Sequence, residues 1–255
     1  MNILRKLSFF YLLVLFSACS SKKDIIYLQG FDSDVFESNY SEYLISVDDI
    51  LKISISSDKP ELTAMLNPGG MQSSIINSKD LFIINGYQVN SEGNIIFPEL
   101  GEVYVLGNTI NQLRRKFYQL IVDKGIIINP TIDIKILNSH FTILGEVSMP
   151  GRYEFLKNDL NIFEAIGYAG DLTINGKRDN IKLIREDING SKRVFSLDLT
   201  SMDILTDKNF QIFSGDIIIV DPNYTRVKNA GIIGNSGTLL SLLSFILSSL
   251  IVINN

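Results

Sequence analysis

Apolar and polar residues alternate strictly over Leu51, Ile53 and Ile55 against Lys52, Ser54 and Ser56. A period of two marks a half-buried strand, and Pro60 closes it. A short helix and then a loop through Pro68-Gly69-Gly70 are expected next. The stretch "LFIINGYQVNSEGNIIFPELGEVYVLGNT" reads as short strands separated by turns at Asn85-Gly86 and Glu92-Gly93-Asn94, with Pro98 at a strand end. The period then changes. Leu113, Phe117, Leu120 and Ile121 share one helical face, and Thr109 with Gln112 three residues on predicts a capping box. Gly125 ends that helix, and Ile132, Ile134 and Ile136 restore strand alternation.

From about residue 139 a second unit repeats the mixture. "FTILGEVSMPGRYEF" predicts strand, turn and strand, with the turn set by Pro150-Gly151, proline fixing φ and glycine tolerating positive φ. Asn161 and Glu164 predict a second capping box, with Phe163, Ile166 and Ala169 facing inward. Two strands flank Asn189-Gly190, and "FQIFSGDIIIVDP" is a last strand ended by Pro222. These elements predict an α+β chain.

The two ends are apolar. Arg5 and Lys6 precede a short apolar run, Ser17-Ala18 are small, and the chain's one cysteine, Cys19, follows. The apolar core is too short to span a bilayer and reads as a secretory signal peptide over residues 1–18. Its end resembles a bacterial lipobox, with Phe16 where leucine is usual. That resemblance implies a lipid on Cys19. Ser20, rather than aspartate, follows it and points to the outer membrane. Residues 19–41 are expected to be a lipidated tether.

At the other end, Ile232 to Ile253 would reach about 33 Å as a helix, enough to cross a bilayer, although its strongly apolar part starts only at Leu239. Gly234, Gly237, Ser241, Ser244 and Ser248 fall on one side of that helix. The stripe fits a slightly polar anchor. It also fits packing against a neighbouring helix or facing a water-filled lumen.

Composition narrows the function. The formal charge is −5, and it becomes more negative once Arg5 and Lys6 are removed. An acidic, exported chain with one histidine is a poor nucleic-acid binder. No GxGxxG or GxxxxGK[ST] motif is present, so no nucleotide cofactor is expected. His140 stands alone, and Asp48-Asp49 read as turn or surface residues rather than a metal site. Arg114-Arg115-Lys116 form a solvated face or a docking patch. No catalytic residue, cofactor or metal is expected. Distant carboxylates brought together by folding, as in a glycosidase, remain an open alternative at this stage.

"YLISVDDILKISI" and "VNSEGNIIFPELGEVYVLGNTINQLRRKF", followed by "GEVSMPGRYEF" and "NIFEAIGYAGDLT", resemble the Wza-like outer-membrane polysaccharide export lipoproteins. Asp48 stands where that family commonly has glycine. The resemblance implies a polysaccharide export domain over residues 42–138 and one SLBB β-grasp domain over 139–222. It also implies a C-terminal transmembrane helix over 223–255 and a ring homo-oligomer, often of eight copies. Cys19 would be lipidated in the outer membrane, with the soluble domains in the periplasm. The stripe from Gly234 to Ser248 would line the lumen or pack helices. The function implied is a passive channel for capsular or extracellular polysaccharide, working with an inner-membrane co-polymerase. The alternative is a non-enzymatic periplasmic ligand-binding or scaffold lipoprotein.

Overall fold

The computed structural model describes residues 25–30, 35–36, 40–63, 66–67, 86–157 and 159–223, with positions 237, 240, 241, 244, 245, 248 and 249. The expected lipidation site Cys19, Gly234 and most of the expected C-terminal helix lie outside the described residues. Among the described residues no helix is long and apolar enough to cross a membrane.

Two hydrophobic cores form in succession along the chain. In the first, β1 (Ile50–Ser56) is the centre of a three-stranded antiparallel sheet between β2 (Tyr87–Gln88) and β5 (Thr131–Ile136). Ile53 pairs with Ile134 and Ile55 with Ile132, so both strands turn the same alternating set inward. A short turn of helix, α1 (Pro60–Thr63), follows β1, and β3 (Asn94–Phe97) and β4 (Gly101–Tyr104) form a separate hairpin. Pro98 directly follows β3, where its missing N–H breaks no ladder bond.

Helix α2 (Ile110–Asp123) covers this sheet. Thr109 accepts from the Gln112 backbone N–H, and Gln112 returns a bond to the Thr109 N–H, completing the predicted capping box. Leu113, Phe117 and Ile121 are fully buried, and the Phe117 ring meets Phe97 edge-on at 5.0 Å. Gly125, at φ +68°, lets the chain turn back toward β5.

The second core lies on a five-stranded mixed sheet in the order β7-β6-β10-β8-β9. Its strands are β6 (His140–Gly145), β7 (Gly151–Glu154), β8 (Gly176–Glu186), β9 (Lys192–Leu197) and β10 (Ile217–Pro222). β6 and β10 run parallel and all other neighbours are antiparallel. Helix α3 (Ile162–Tyr168) packs on the face formed by Phe141, Ile143, Ile181, Leu183, Ile218 and Val220. β9 leaves an edge that carries Lys192 and Arg193, charges that discourage unwanted strand pairing.

Helix α3 buries Ile162, Ala165 and Ile166, with Ala169 just beyond. Phe163 packs half-buried against the same core, so the inward face expected for Phe163, Ile166 and Ala169 is present, widened by Ile162 and Ala165. One expectation needs correction. The positive φ in the "GEVSMPG" turn belongs to Gly145 (+94°), not to Gly151, which is the first residue of β7. The chain bends on leaving β6, five residues before the proline has any effect.

Candidate functional site

The signature elements of the second core are in contact with each other. Ser148 N–H donates to the Asp171 carbonyl and Met149 N–H to the Ala169 carbonyl, each at 2.9 Å. The "GEVSMPG" turn is thereby sewn to the end of α3. Gly170, at φ +71°, closes that helix so tightly that a Cβ there would meet Ser148 and Met149 at 3.3 and 3.2 Å. Glu146 accepts from the Thr173 hydroxyl at 2.7 Å, tying the turn to the next loop.

That loop, Asp171 to Asn175, together with Arg178 on β8, also receives residues from both ends of the folded body. The Tyr27 hydroxyl donates to Asp171 Oδ1 at 2.6 Å, its ring meets Phe163 edge-on at 5.8 Å, and the buried Arg178 guanidinium lies 5.1 Å from it. Burial and then Asp171 push the Tyr27 hydroxyl well above its ordinary pKa, so it remains a donor. Leu28 and Gln29 N–H groups donate to the carbonyls of Leu199 and Thr200 at 3.1 and 2.7 Å. Residues 25–30 are therefore docked on the second core. Asn223, at the exit of β10, donates through its N–H to the Asn175 carbonyl at 2.6 Å and through Nδ2 to the Ile174 carbonyl at 3.3 Å.

The junction between the two cores is built from one turn used twice. Ser46 to Ile50 leads into β1, and Phe213 to Ile217 leads into β10. In each, a residue at positive φ (Asp48, +67°; Gly215, +87°) precedes a buried aspartate. Each aspartate accepts the backbone N–H three residues back, Asp49 from Ser46 at 2.8 Å and Asp216 from Phe213 at 2.7 Å. The left-handed conformation at Asp48 explains why glycine suits that position. Asp48 lies in the turn as expected, but Asp49 is buried, with 5% of its surface exposed. Among the described residues no group of three or more potential ligands could hold a metal ion.

The two turns face each other through side chains. Tyr43 donates to the Asp49 carboxylate at 3.1 and 3.3 Å and meets the Phe213 ring at 5.9 Å. The Arg185 guanidinium stacks 4.2 Å from that ring on its way to Asp216, which it grips with Nε at 2.9 Å and Nη2 at 2.6 Å. Arg185 also donates to the Gln211 carbonyl at 2.7 Å, and Ser41 N–H reaches the Gln211 side chain at 3.2 Å. Nothing in local spacing signals this relay, because Tyr43 and Phe213 are far apart in sequence. The repeated aspartate before an apolar strand is the one sequence mark it leaves.

Desolvation pushes the Asp49 carboxyl up to about 6, against the pull of its hydrogen bonds from Ser46 and Tyr43. A folded pKa above the unfolded one stabilises fully below about pH 4, and the benefit is lost as pH rises through 6. Between pH 4 and 7 this group should remove about 2–3 kcal/mol of stability. Denaturant unfolding of the wild type and Asp49→Asn across that range should show the difference between the two curves changing by that amount. Parallel curves would mean that Asp49 titrates normally.

A cleft opens beside the relay, between α2 and the second core. Tyr40, Tyr43, Ile110, Asn111, Arg114 and Phe213 are among its lining residues. Of the basic run, Arg114 lines this cleft, Arg115 is exposed, and Lys116 donates to the Tyr104 carbonyl at 2.8 Å. His140, on β6, has its Nδ1 3.0 Å from the Asn138 carbonyl.

Of the C-terminal stripe, Gly237, Ser241, Ser244 and Ser248 are at helical positions. The Ser244 hydroxyl donates to the Ser241 carbonyl at 2.9 Å, and Ser248 to the Ser244 carbonyl at 2.6 Å. These hydroxyl protons are satisfied within the helix itself.

The model of the polysaccharide biosynthesis/export protein family matches residues 37–137. The SLBB domain model matches residues 140–196. The EPS I polysaccharide export outer membrane protein EpsA of Ralstonia solanacearum is 26% identical over 200 residues, covering 76% of this chain and 52% of that protein. Its namesake from Ralstonia nicotianae is 26% identical over 185 residues, covering 70% of this chain and 47% of that protein. The chain thus spans about half the length of the curated relatives it matches. With the export model on the first core and the SLBB model on the second, the matches support a Wza-like polysaccharide export family for this chain.

Proposed function

We propose that this chain is an outer-membrane component of a polysaccharide exporter and that it works without catalysis. A lipid on Cys19 and a C-terminal helix within residues 223–255 hold it to the membrane, with the two folded domains in the periplasm. Copies assemble as a ring around a passive conduit for capsular or extracellular polysaccharide. An inner-membrane co-polymerase delivers the polymer. The observation that carries this reading is the order of the two domain matches, export domain and then SLBB domain, in a chain similar to proteins named polysaccharide export outer membrane proteins.

The path of the chain supports the same reading. Tyr27 and Asn223 are fastened to one loop, so a lipid a few residues before Ile25 and a helix beginning after Asn223 leave from the same end of the body. One membrane can then hold both. The stripe through Gly237, Ser241, Ser244 and Ser248 suits close packing of neighbouring helices, because its small side chains allow approach and the Ser244 and Ser248 hydroxyls need no outside acceptor.

Particle imaging of the lipidated protein extracted in mild detergent tests the assembly. A closed ring with a central channel and a helical collar is expected. A stable monomer or dimer would leave a binding or scaffold lipoprotein as the better account.

A further inference from the structure

The cleft between the two domains combines two kinds of surface. Its floor is apolar, from Ile110, Ile136, Phe155 and Ile212, and the Tyr43 and Phe213 rings close one side. Its rim is polar and differently fixed. Glu42 is bound by the Asn111 side-chain amide, and its hydrogen bonds from Thr109 and Asn111 hold its carboxyl below the usual range. Arg114 donates Nη1 to Asn111 Oδ1 at 3.0 Å, which orients the guanidinium and leaves the rest of its fork unengaged by that bond. Lys157 is already countered by Glu164 at 2.7 Å and Asp159 at 3.5 Å, so it adds little net charge. Tyr40, also in the lining, has 58% of its surface exposed.

Flat aromatic faces beside preset planar donors and acceptors, with balanced charge, suit a ring that is apolar on its faces and hydroxylated at its edge. We propose that this cleft is a saccharide-binding site that takes one pyranose unit. The sugar's C–H face lies on the Tyr40 and Tyr43 rings, and its edge hydroxyls bond to Arg114 and Glu42. This rests on the reading of the chain as a polysaccharide exporter and adds where the polymer touches it. The site sits at the junction, within reach of the Tyr43–Phe213 contact, so occupancy bears on how the two domains are held.

Saturation-transfer NMR on the full lipidated chain in detergent tests it, with two probes: a neutral glucose oligosaccharide and a uronic-acid oligosaccharide. Transfer to pyranose C–H protons is expected from at least one probe. Tyr40→Ala and Arg114→Gln are rim changes on exposed side chains, and each should weaken binding on the order of tenfold. Arg193→Gln, on the far edge strand β9, should leave it unchanged. Three results would overturn the site: no transfer from either probe, transfer unaffected by both rim variants, or a neighbouring copy filling the cleft in particle images. Export by cells carrying only the Tyr40→Ala/Arg114→Gln chain separates this inference from the one beneath it. Normal export there, with export lost on deletion of the gene, overturns the site and keeps the exporter. Export that survives deletion overturns the exporter itself.

Discussion

Arg185→Ala should destabilise the protein by about 3–5 kcal/mol at neutral pH, the range for stripping one partner from a buried ion pair. Asp216 has 1% of its side chain exposed, and Arg185 reaches it from a position only 17% exposed. Without the guanidinium, the carboxylate keeps the Phe213 N–H at 2.7 Å as its one donor among the described residues. Desolvation already pushes the Asp216 carboxyl up, and Arg185 is the largest influence opposing it. Removing Arg185 raises that pKa further above the unfolded value. The carboxyl then takes a proton more readily in the folded state, so the variant's deficit should shrink as pH falls. Arg185→Lys keeps the charge but loses the fork and the stacking on Phe213, and should fall between the two. Denaturant unfolding at two pH values reads all three chains. A loss below about 1 kcal/mol, independent of pH, would place the pair among solvated surface bridges.

Gly145→Ala should be at least as damaging, on the order of 4 kcal/mol or more. A Cβ on Gly145 would stand 2.0 Å from the Val220 carbonyl oxygen, with φ at +94° besides. Val220 is the register partner of Gly145 on β10, and its carbonyl also accepts the Glu146 N–H at 3.0 Å. The parallel pair at the centre of the sheet would have to part. Gly215→Ala provides the comparison, because its φ is +87° but open space surrounds the new methyl. That variant carries backbone strain alone, about 1–3 kcal/mol. Equal losses in the two would show that φ, not the close approach to β10, explains Gly145.

The reading of the chain succeeded where a signal repeats within one element. Alternation located β1 and β5 because one face of each is buried. The Thr109–Gln112 and Asn161–Glu164 boxes located two helix starts because capping is a local transaction between neighbours. It failed where the deciding partner lies elsewhere in the chain. Gly151 looks like the strained glycine beside its proline, yet Gly145 has the close approach, imposed by a strand that begins at Ile217. Asp49 looks like a surface residue because the aromatic ring that covers it, Tyr43, is packed in turn on Phe213. The candidate cleft left no mark beyond Arg114 in the basic run, since its walls come from five separate stretches of chain.

The loop from Asp171 to Asn175 has a mechanical consequence. Tension applied to the chain before Ile25 or beyond Asn223 enters the folded body at that loop and the adjoining Leu199–Thr200 backbone. The SLBB domain is then the clamped root of a cantilever, and the export domain is its free arm. The arm is joined to the root by two chain crossings, near Ser41 and at Asn138–Ser139. Beside those crossings the Tyr43–Phe213 contact, backed by Arg185 and Asp216, bridges the two cores. A load on the export domain would reach the fastened loop as torque rather than as a direct pull.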